Sequence, residues 1–370
     1  MIDPMVDRRT FLSGVAGLGA VTLLGCSEDE KPTPGPSSAS PSPLRTSVDE
    51  LNPRVAGTIA DGLNVPWGIA FLPDGDALVA QRDAGSIVRV TADGKVTTMG
   101  DVRGSVGQPG GEGGLLGLAL DPDDDTALYA FVTTTADDRV VRIELDGDRL
   151  GDITPILTGI PVGGFHHGGR LKFNREGHLF VATGEAGNPP ESQKRGSLGG
   201  KVLRIDRNGD AVDGNPFGNR TWSYGHRNVE GLAFDDEGRL WASEFGANRF
   251  DELNLVEKGQ NYGWPRFEGK SDDDDYVTPK VTWTTDECSP SGLAIHRSTA
   301  FVAALRGECL WAVPLDGTKV GKPRAYFRGK YGRIRTVVVA PDESLWMTTS
   351  NTDGRGDPGR NDDRILRVTL

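Results

Sequence analysis

Several things are scarce in this chain, and each scarcity closes off a class of protein. Cysteine occurs 3 times and histidine 5 times in 370 residues, with no cysteine cluster, so a zinc site of the Cys/His type is excluded. Positive charge is short as well: 41 Lys and Arg stand against 53 Asp and Glu, a net charge of -12. A nucleic-acid partner calls for a basic footprint, and none is present. The N-terminal apolar run, Val15 to Leu24, is too short to span a bilayer comfortably. Ala- and Leu-rich helical periodicity is rare. What is abundant is glycine, with 51 residues, set among short apolar runs and Asp/Glu turns. That profile predicts many short strands joined by tight turns, in a chain long enough to bury a large core.

The N-terminus reads as an address. Arg8-Arg9 followed by Thr10-Phe11-Leu12 resembles a twin-arginine export signal, and Leu23-Leu24-Gly25-Cys26 resembles a lipobox. Residues 1–26 are therefore expected to be a lipoprotein signal peptide that leaves Cys26 lipidated. Residues 27–50 are rich in Pro, Ser and acidic side chains and read as a flexible linker. Residues 51–370 form the folded domain. The expected location is the outer face of the cell membrane, with the membrane touched only through the lipid anchor.

One pattern recurs along the domain: a small residue, an apolar strand, a turn, a second apolar strand. It begins at Gly68, Gly117, Gly169, Gly231, Gly292 and Thr336, as in GLAFDDEGRLWASE from Gly231. Successive copies lie roughly 45 to 60 residues apart, the interval of a four-stranded propeller blade. Six copies predict an all-β, six-bladed propeller with antiparallel blades. After Thr336 the chain offers three strands, so a strand near Val55 to Ile59 is expected to complete the last blade and close the ring. Two packed β-sandwiches fit this repeat poorly.

The repeat also locates a site. In a blade the first strand lines the central channel, so residues just before it and just after the second strand open on one face. Glu112, His166, Arg227, Asn228, Arg333 and Arg335 precede or begin first strands; Glu185, Glu244 to Gly246 and Arg306 follow second strands. They converge on one mouth of the channel. Five arginines (Arg170, Arg227, Arg306, Arg333 and Arg335) gather there in an otherwise acidic protein, and guanidinium groups match carboxylates. A planar polyanion is the natural tenant, although some of these arginines will pair with Glu112, Glu185 or Glu230. His166, in GGFHHGGRL, is suited to general-base work. Its neighbour His167 points the other way along an extended chain, which argues against a shared metal. Asp251, Glu252 and carbonyls of the Gly246-Ala247 turn are hard oxygen donors suited to Ca²⁺, without EF-hand spacing.

Ordered motifs carry a family resemblance. GEGGLLGLAL (residues 111–120), HHGGRL, YGHRNVEGLAF, SEFGANRFDELN, NYGWP and GRIRTVVVAPD together resemble the pyrroloquinoline quinone (PQQ)-dependent soluble glucose/aldose sugar dehydrogenases over roughly Val65 to Leu370. The resemblance implies a six-bladed propeller that oxidises aldose sugars at the anomeric carbon to lactones and passes electrons to a quinone or other acceptor. It places the base at His166, assisted by Glu185, and PQQ contacts at Glu112, Arg227, Asn228, Glu230, Arg306, Arg333 and Arg335. The cofactor's Ca²⁺ falls on the carbonyls of Gly246 and Ala247, and a structural Ca²⁺ on Glu252 and the carbonyl of Tyr262. The best-known glucose enzymes have Gln at the positions of Glu112 and Glu230 and Lys at that of Arg306; the extra carboxylates would repel a tricarboxylate unless they are paired. Short loops resemble the monomeric branch.

Two other classes stay in view: a Ca²⁺-dependent lactonase on the same fold, and a non-catalytic lipoprotein that binds a partner at the mouth. The arginines argue against the first and the His166–arginine combination against the second. Cys288 and Cys309 fall on the site-bearing rim in an exported chain. A disulfide between them is expected, provided the loop from Asp286 to Pro290 folds across the intervening strand.

Overall fold

A computed structural model describes residues 51–107 and 110–370. The export signal, Cys26 and the linker lie outside the described residues. Six antiparallel sheets follow one another along the chain, each ordered from its first strand outward. Their first strands are Pro66–Phe71, Leu115–Asp121, Gly168–Phe173, Val229–Phe234, Pro290–His296 and Ile334–Val339. This is a six-bladed β-propeller. Blade six takes its outer strand, Arg54–Ala60, from the N-terminal side of the domain, paired antiparallel with Ile365–Thr369. The ring is therefore closed by β-pairing, which removes two sheet edges.

Strand periodicity explains the packing. Side chains alternate between the faces of a strand, and each blade packs both faces against neighbours. Leu78 and Ala80 join an apolar cluster with blade two, while Ala77 and Val79 join one with blade six. Among the described residues there are six such clusters, one at each junction between successive blades. Truncating a large residue in one of them, such as the fully buried Phe131, is expected to cost about 3–5 kcal/mol.

The small residue that opens each repeat has a steric cause. First strands converge on the axis, where the glycines leave no room for a larger side chain. A Cβ on Gly117 would lie 2.2 Å from the Gly169 carbonyl oxygen, and one on Gly68 would lie 2.4 Å from that of Leu116. Thr336 takes this place in blade six, and its hydroxyl donates to the Trp67 carbonyl across the closure. Residues before the strands emerge together at one mouth, and those at the strand ends emerge at the other.

Candidate active site

The mouth holds a cavity of about 280 Å³ whose wall includes Glu112, His166, Arg227, Asn228, Glu230, Gly246, Ala247, Asp251, Arg306, Arg333 and Arg335. Most positions singled out in the sequence thus meet in one place.

His166 sits at its edge with φ 61°, a left-handed conformation costly for a non-glycine residue. Three bonds hold it there. Its N–H donates to Glu112 Oε2 at 2.8 Å, its carbonyl accepts from Ala186 N–H at 3.1 Å, and its Nδ1 meets Glu185 Oε1 at 2.5 Å. With Nδ1–H given to Glu185, Nε2 is left with its lone pair. Glu185 is buried, and its backbone N–H bonds the Arg227 carbonyl. The loop after Glu185 is pinned by the Lys201 ammonium, which donates to the carbonyls of Glu191, Ser192 and Gly199. His167 turns away into the blade, its Nδ1 2.8 Å from Asp138 Oδ2. Burial opposes its charging, but the Asp138 hydrogen bond and charge outweigh it and raise His167 above the ordinary histidine value.

The carboxylates are paired. Glu230 Oε2 accepts from Arg335 Nη1 at 2.8 Å and from Ser291 Oγ at 2.7 Å. Glu112 Oε1 accepts from Arg355 Nη1 at 2.8 Å. Burial works against ionisation of Glu112, yet the His166 N–H and Arg355 hold it below the usual range. Arg333 and Arg335 both lean on Asp353, at 3.0 and 3.4 Å. Arg306 lies on the rim in an exposed pair with Asp286 at 2.7 Å, and such pairs contribute only about 0–1 kcal/mol. Arg227 differs from all of these. Its guanidinium lies over the Trp264 ring at 5.5 Å, and its buried Nε has no hydrogen-bond partner among the described residues. Burial pushes its pKa down against the opposing charges of Glu185, Glu112, Glu268 and Glu244, and the Nε remains an unmet donor.

Asn228 serves the site indirectly. Its Oδ1 accepts the Gly168 N–H at 2.8 Å and so fixes the turn that carries His166. Arg170, grouped with the mouth arginines on sequence grounds, is not part of this wall. It crosses the channel, donating to the Glu230 carbonyl at 2.7 Å and to Thr336 Oγ1 at 3.3 Å, over Trp67 at 4.0 Å. It is a plug rather than a ligand contact.

The cation positions are built from backbone. Gly246 N–H donates to Asp251 Oδ1 at 2.9 Å. The N–H groups of Ala247, Asn248, Arg249 and Phe250 all converge on Glu268 Oε1, at 2.7, 2.8, 2.7 and 3.1 Å. In a trans peptide the carbonyl opposes the following N–H, so the Gly246 and Ala247 carbonyls face away from Glu268. A Cβ on Gly246 would strike the Phe250 carbonyl oxygen. Behind this loop, burial and the neighbouring Glu244 push Glu252 up to about 8, and the buried Asn254 Oδ1 has no hydrogen-bond partner among the described residues. Tyr262 belongs to the same cluster: it stacks on His226, whose Nδ1 bonds Glu244 at 2.8 Å. A hard cation beside Glu252 would relieve both defects, so the donor set fits Ca²⁺. Among the described residues no three His, Cys, Asp or Glu side chains gather into a metal cluster, and carbonyl donors are therefore essential to any cation site here.

The sequence reading missed Arg355, Asp353, Glu268 and Phe165. Arg355 and Asp353 follow the second strand of blade six, the position that had pointed to Glu185 and Arg306. Phe165 exposes 47% of its surface beside His166, edge-on at 4.5 Å. Nothing in the sequence marks Glu268.

The expected disulfide is not formed. Cys288 and Cys309 are separate buried thiols in one apolar cluster. The loop does fold across, since the Cys288 carbonyl accepts the Gly307 N–H at 3.0 Å. Apolar packing satisfies both sulfurs there, and burial pushes both thiols up.

Residues 63–366 match the family model for glucose/sorbosone dehydrogenases. The chain belongs to that family. Aldose sugar dehydrogenase YliI of Escherichia coli is 29% identical over 80% of this chain and 90% of its own length. Quinoprotein glucose dehydrogenase B of Acinetobacter calcoaceticus is 31% identical over 59% of this chain and 54% of its own. Among solved structures, the PQQ-bound aldose sugar dehydrogenase of Streptomyces coelicolor superposes with a TM-score of 0.83 at 49% identity, covering 86% of this chain and 97% of that one. Members of this family are oxidoreductases, and the propeller above is their fold.

Proposed function

We propose that this chain oxidises aldoses at the anomeric carbon to lactones, with PQQ and Ca²⁺ at the mouth. The observation that carries the reading is Arg227: a guanidinium on the cavity wall, over the Trp264 ring at 5.5 Å, with a buried Nε that has no hydrogen-bond partner among the described residues. Arg306 can exchange its exposed bond with Asp286 for a carboxylate of the cofactor, and Arg333 and Arg335 set a positive wall behind. The Gly246 and Ala247 carbonyls would hold Ca²⁺, with Glu252 and Tyr262 serving a structural ion. Bound there, PQQ supplies the two-electron acceptor and Ca²⁺ the Lewis acid.

The chain's own part is proton handling and orientation. His166 Nε2 takes the proton of the anomeric hydroxyl, and Glu185 fixes the tautomer and stabilises the imidazolium that forms. Phe165 offers an apolar face on which a pyranose ring can lie, close to that nitrogen. Holding sugar and base in register supplies a large part of the rate. A lactonase would call for acids and Asn rather than arginines around its metal, which disfavours that alternative. Export through the twin-arginine signal and anchoring at Cys26 would place the enzyme, as a monomer, at the outer membrane face, where a quinone or other acceptor is at hand.

The test is reconstitution. Apoprotein given PQQ and Ca²⁺ should reduce an artificial dye with aldoses, and chelation should abolish this. Absence of PQQ binding together with no dye reduction across a broad aldose panel would refute the proposal.

A further inference from the structure

Opposite the mouth, the ends of the six first strands enclose a second cavity of about 410 Å³. That volume lies within the roughly 300–1,000 Å³ of small-molecule sites. Phe71, Leu120, Phe173, Phe234, Ile295 and Val339 contribute one apolar residue from each blade. Arg170 is its inner floor, and the bonds from Arg170 to the Glu230 carbonyl and Thr336 separate it from the mouth. The two chambers are distinct.

Their chemistry differs as well. The wall of this chamber contains no Asp or Glu, although the chain carries a net charge of -12. Its charged members are Arg170 and Lys172, two apart on one strand and so on the same face. Arg170 has acceptors, as described. Lys172 is an exposed residue of the cavity lining, and its ammonium has no hydrogen bond or ion pair among the described residues.

We propose that this chamber is a second binding site, for an amphipathic organic monocarboxylate. Its carboxylate meets Lys172, and its aliphatic or aromatic body lies against the ring of strand ends. The geometry selects this class over others. One unpartnered cation suits a single negative charge rather than a polyanion. Apolar walls with few donors suit a hydrocarbon body rather than a sugar. A simple inorganic anion would leave those walls wet.

Octanoate and 4-phenylbutyrate are suitable probes for calorimetric titration of the whole domain, with octanol as the uncharged control and acetate as the control without an apolar body. Saturable binding of one octanoate per chain is expected, with octanol and acetate each weaker by about tenfold or more. Lys172→Gln should weaken octanoate by a similar factor, and Lys172→Glu should abolish binding. His166→Gln should leave it unchanged, because that residue belongs to the other chamber. Circular dichroism on each variant confirms that the propeller is retained. No octanoate binding, equal binding of octanol, or equal affinity in Lys172→Gln would overturn the proposal.

Discussion

Glu268→Gln removes one charge from a point where four backbone N–H groups converge. The substitution keeps an oxygen acceptor of the same shape, so it isolates the charge. A hydrogen bond to an ionised acceptor contributes about 1.5–3 kcal/mol and one to a neutral acceptor about 0.5–1.5 kcal/mol. Four donors share a single oxygen, so their gains do not add fully. Two bonds' worth of charge assistance, about 2 kcal/mol, is a reasonable figure and corresponds to roughly 30-fold in the population of the ordered loop. That loop presents the Gly246 and Ala247 carbonyls, so Ca²⁺ affinity, measured calorimetrically on PQQ-loaded protein, should fall by about 10- to 30-fold. Turnover at saturating Ca²⁺ and PQQ should change little. Acid provides a second test. Burial opposes ionisation of Glu268, but the four N–H bonds prevail and hold its pKa below the ordinary 4.5. A depressed carboxylate stabilises the fold above its unfolded value, and that contribution disappears as pH falls through the folded value. The stability gap between wild type and variant in chemical denaturation should therefore be constant near neutrality and close below pH 4.5. Wild-type Ca²⁺ affinity in Glu268→Gln would refute the argument.

Four further outcomes are expected. His166→Gln should lower turnover by about 10²- to 10⁴-fold while cofactor binding persists. His167→Ala should instead destabilise the fold by about 3–5 kcal/mol, because it strands the buried Asp138; similar kinetic losses per folded molecule in the two variants would contradict the assignment of the base. Phe165→Ala should raise KM for aldoses several-fold with kcat nearly intact, and an unchanged KM would remove Phe165 from the sugar site. Thiol titration of unreduced, denatured domain should find Cys288 and Cys309 both free; finding neither would restore the disulfide.

What was legible in the sequence follows from what repeats. The spacing of Gly68, Gly117, Gly169, Gly231 and Gly292 is visible because close approach at the axis, by backbone at Gly68, Gly117, Gly231 and Gly292 and by the Leu116 side chain at Gly169, recurs in five of the blades. The strand that closes the ring was legible because three strands cannot complete a four-stranded sheet. His166, Glu185 and Arg227 were legible because strand starts and ends alternate between two rims. The same rule covered Asp353 and Arg355, but their Gly-rich loop carries no motif that draws attention. Glu268 could not be found this way. It acts through the backbone of a loop 18 to 21 residues earlier, and only the folded chain brings them together. Arg170 illustrates the opposite error: strand order placed it near the mouth, and its length carried the guanidinium across the axis.

Charge is where sequence and structure diverge most usefully. Counted along the chain, Glu112 and Glu230 look hostile to a tricarboxylate, and five arginines look like generous compensation. In the fold these charges are already matched. Glu230 belongs to Arg335, Glu112 to Arg355 and to the N–H of His166, and Asp353 to Arg333 and Arg335 together. Paired charges contribute orientation more than attraction, because an incoming anion must compete with a partner already in place. The attraction then rests on Arg227, whose buried Nε has no hydrogen-bond partner among the described residues, and on Arg306, whose exposed partner is weakly held. Glu112 and Glu230 are therefore parts of the frame that aims His166 and Arg335, and their carboxylates need not weaken anion binding at all.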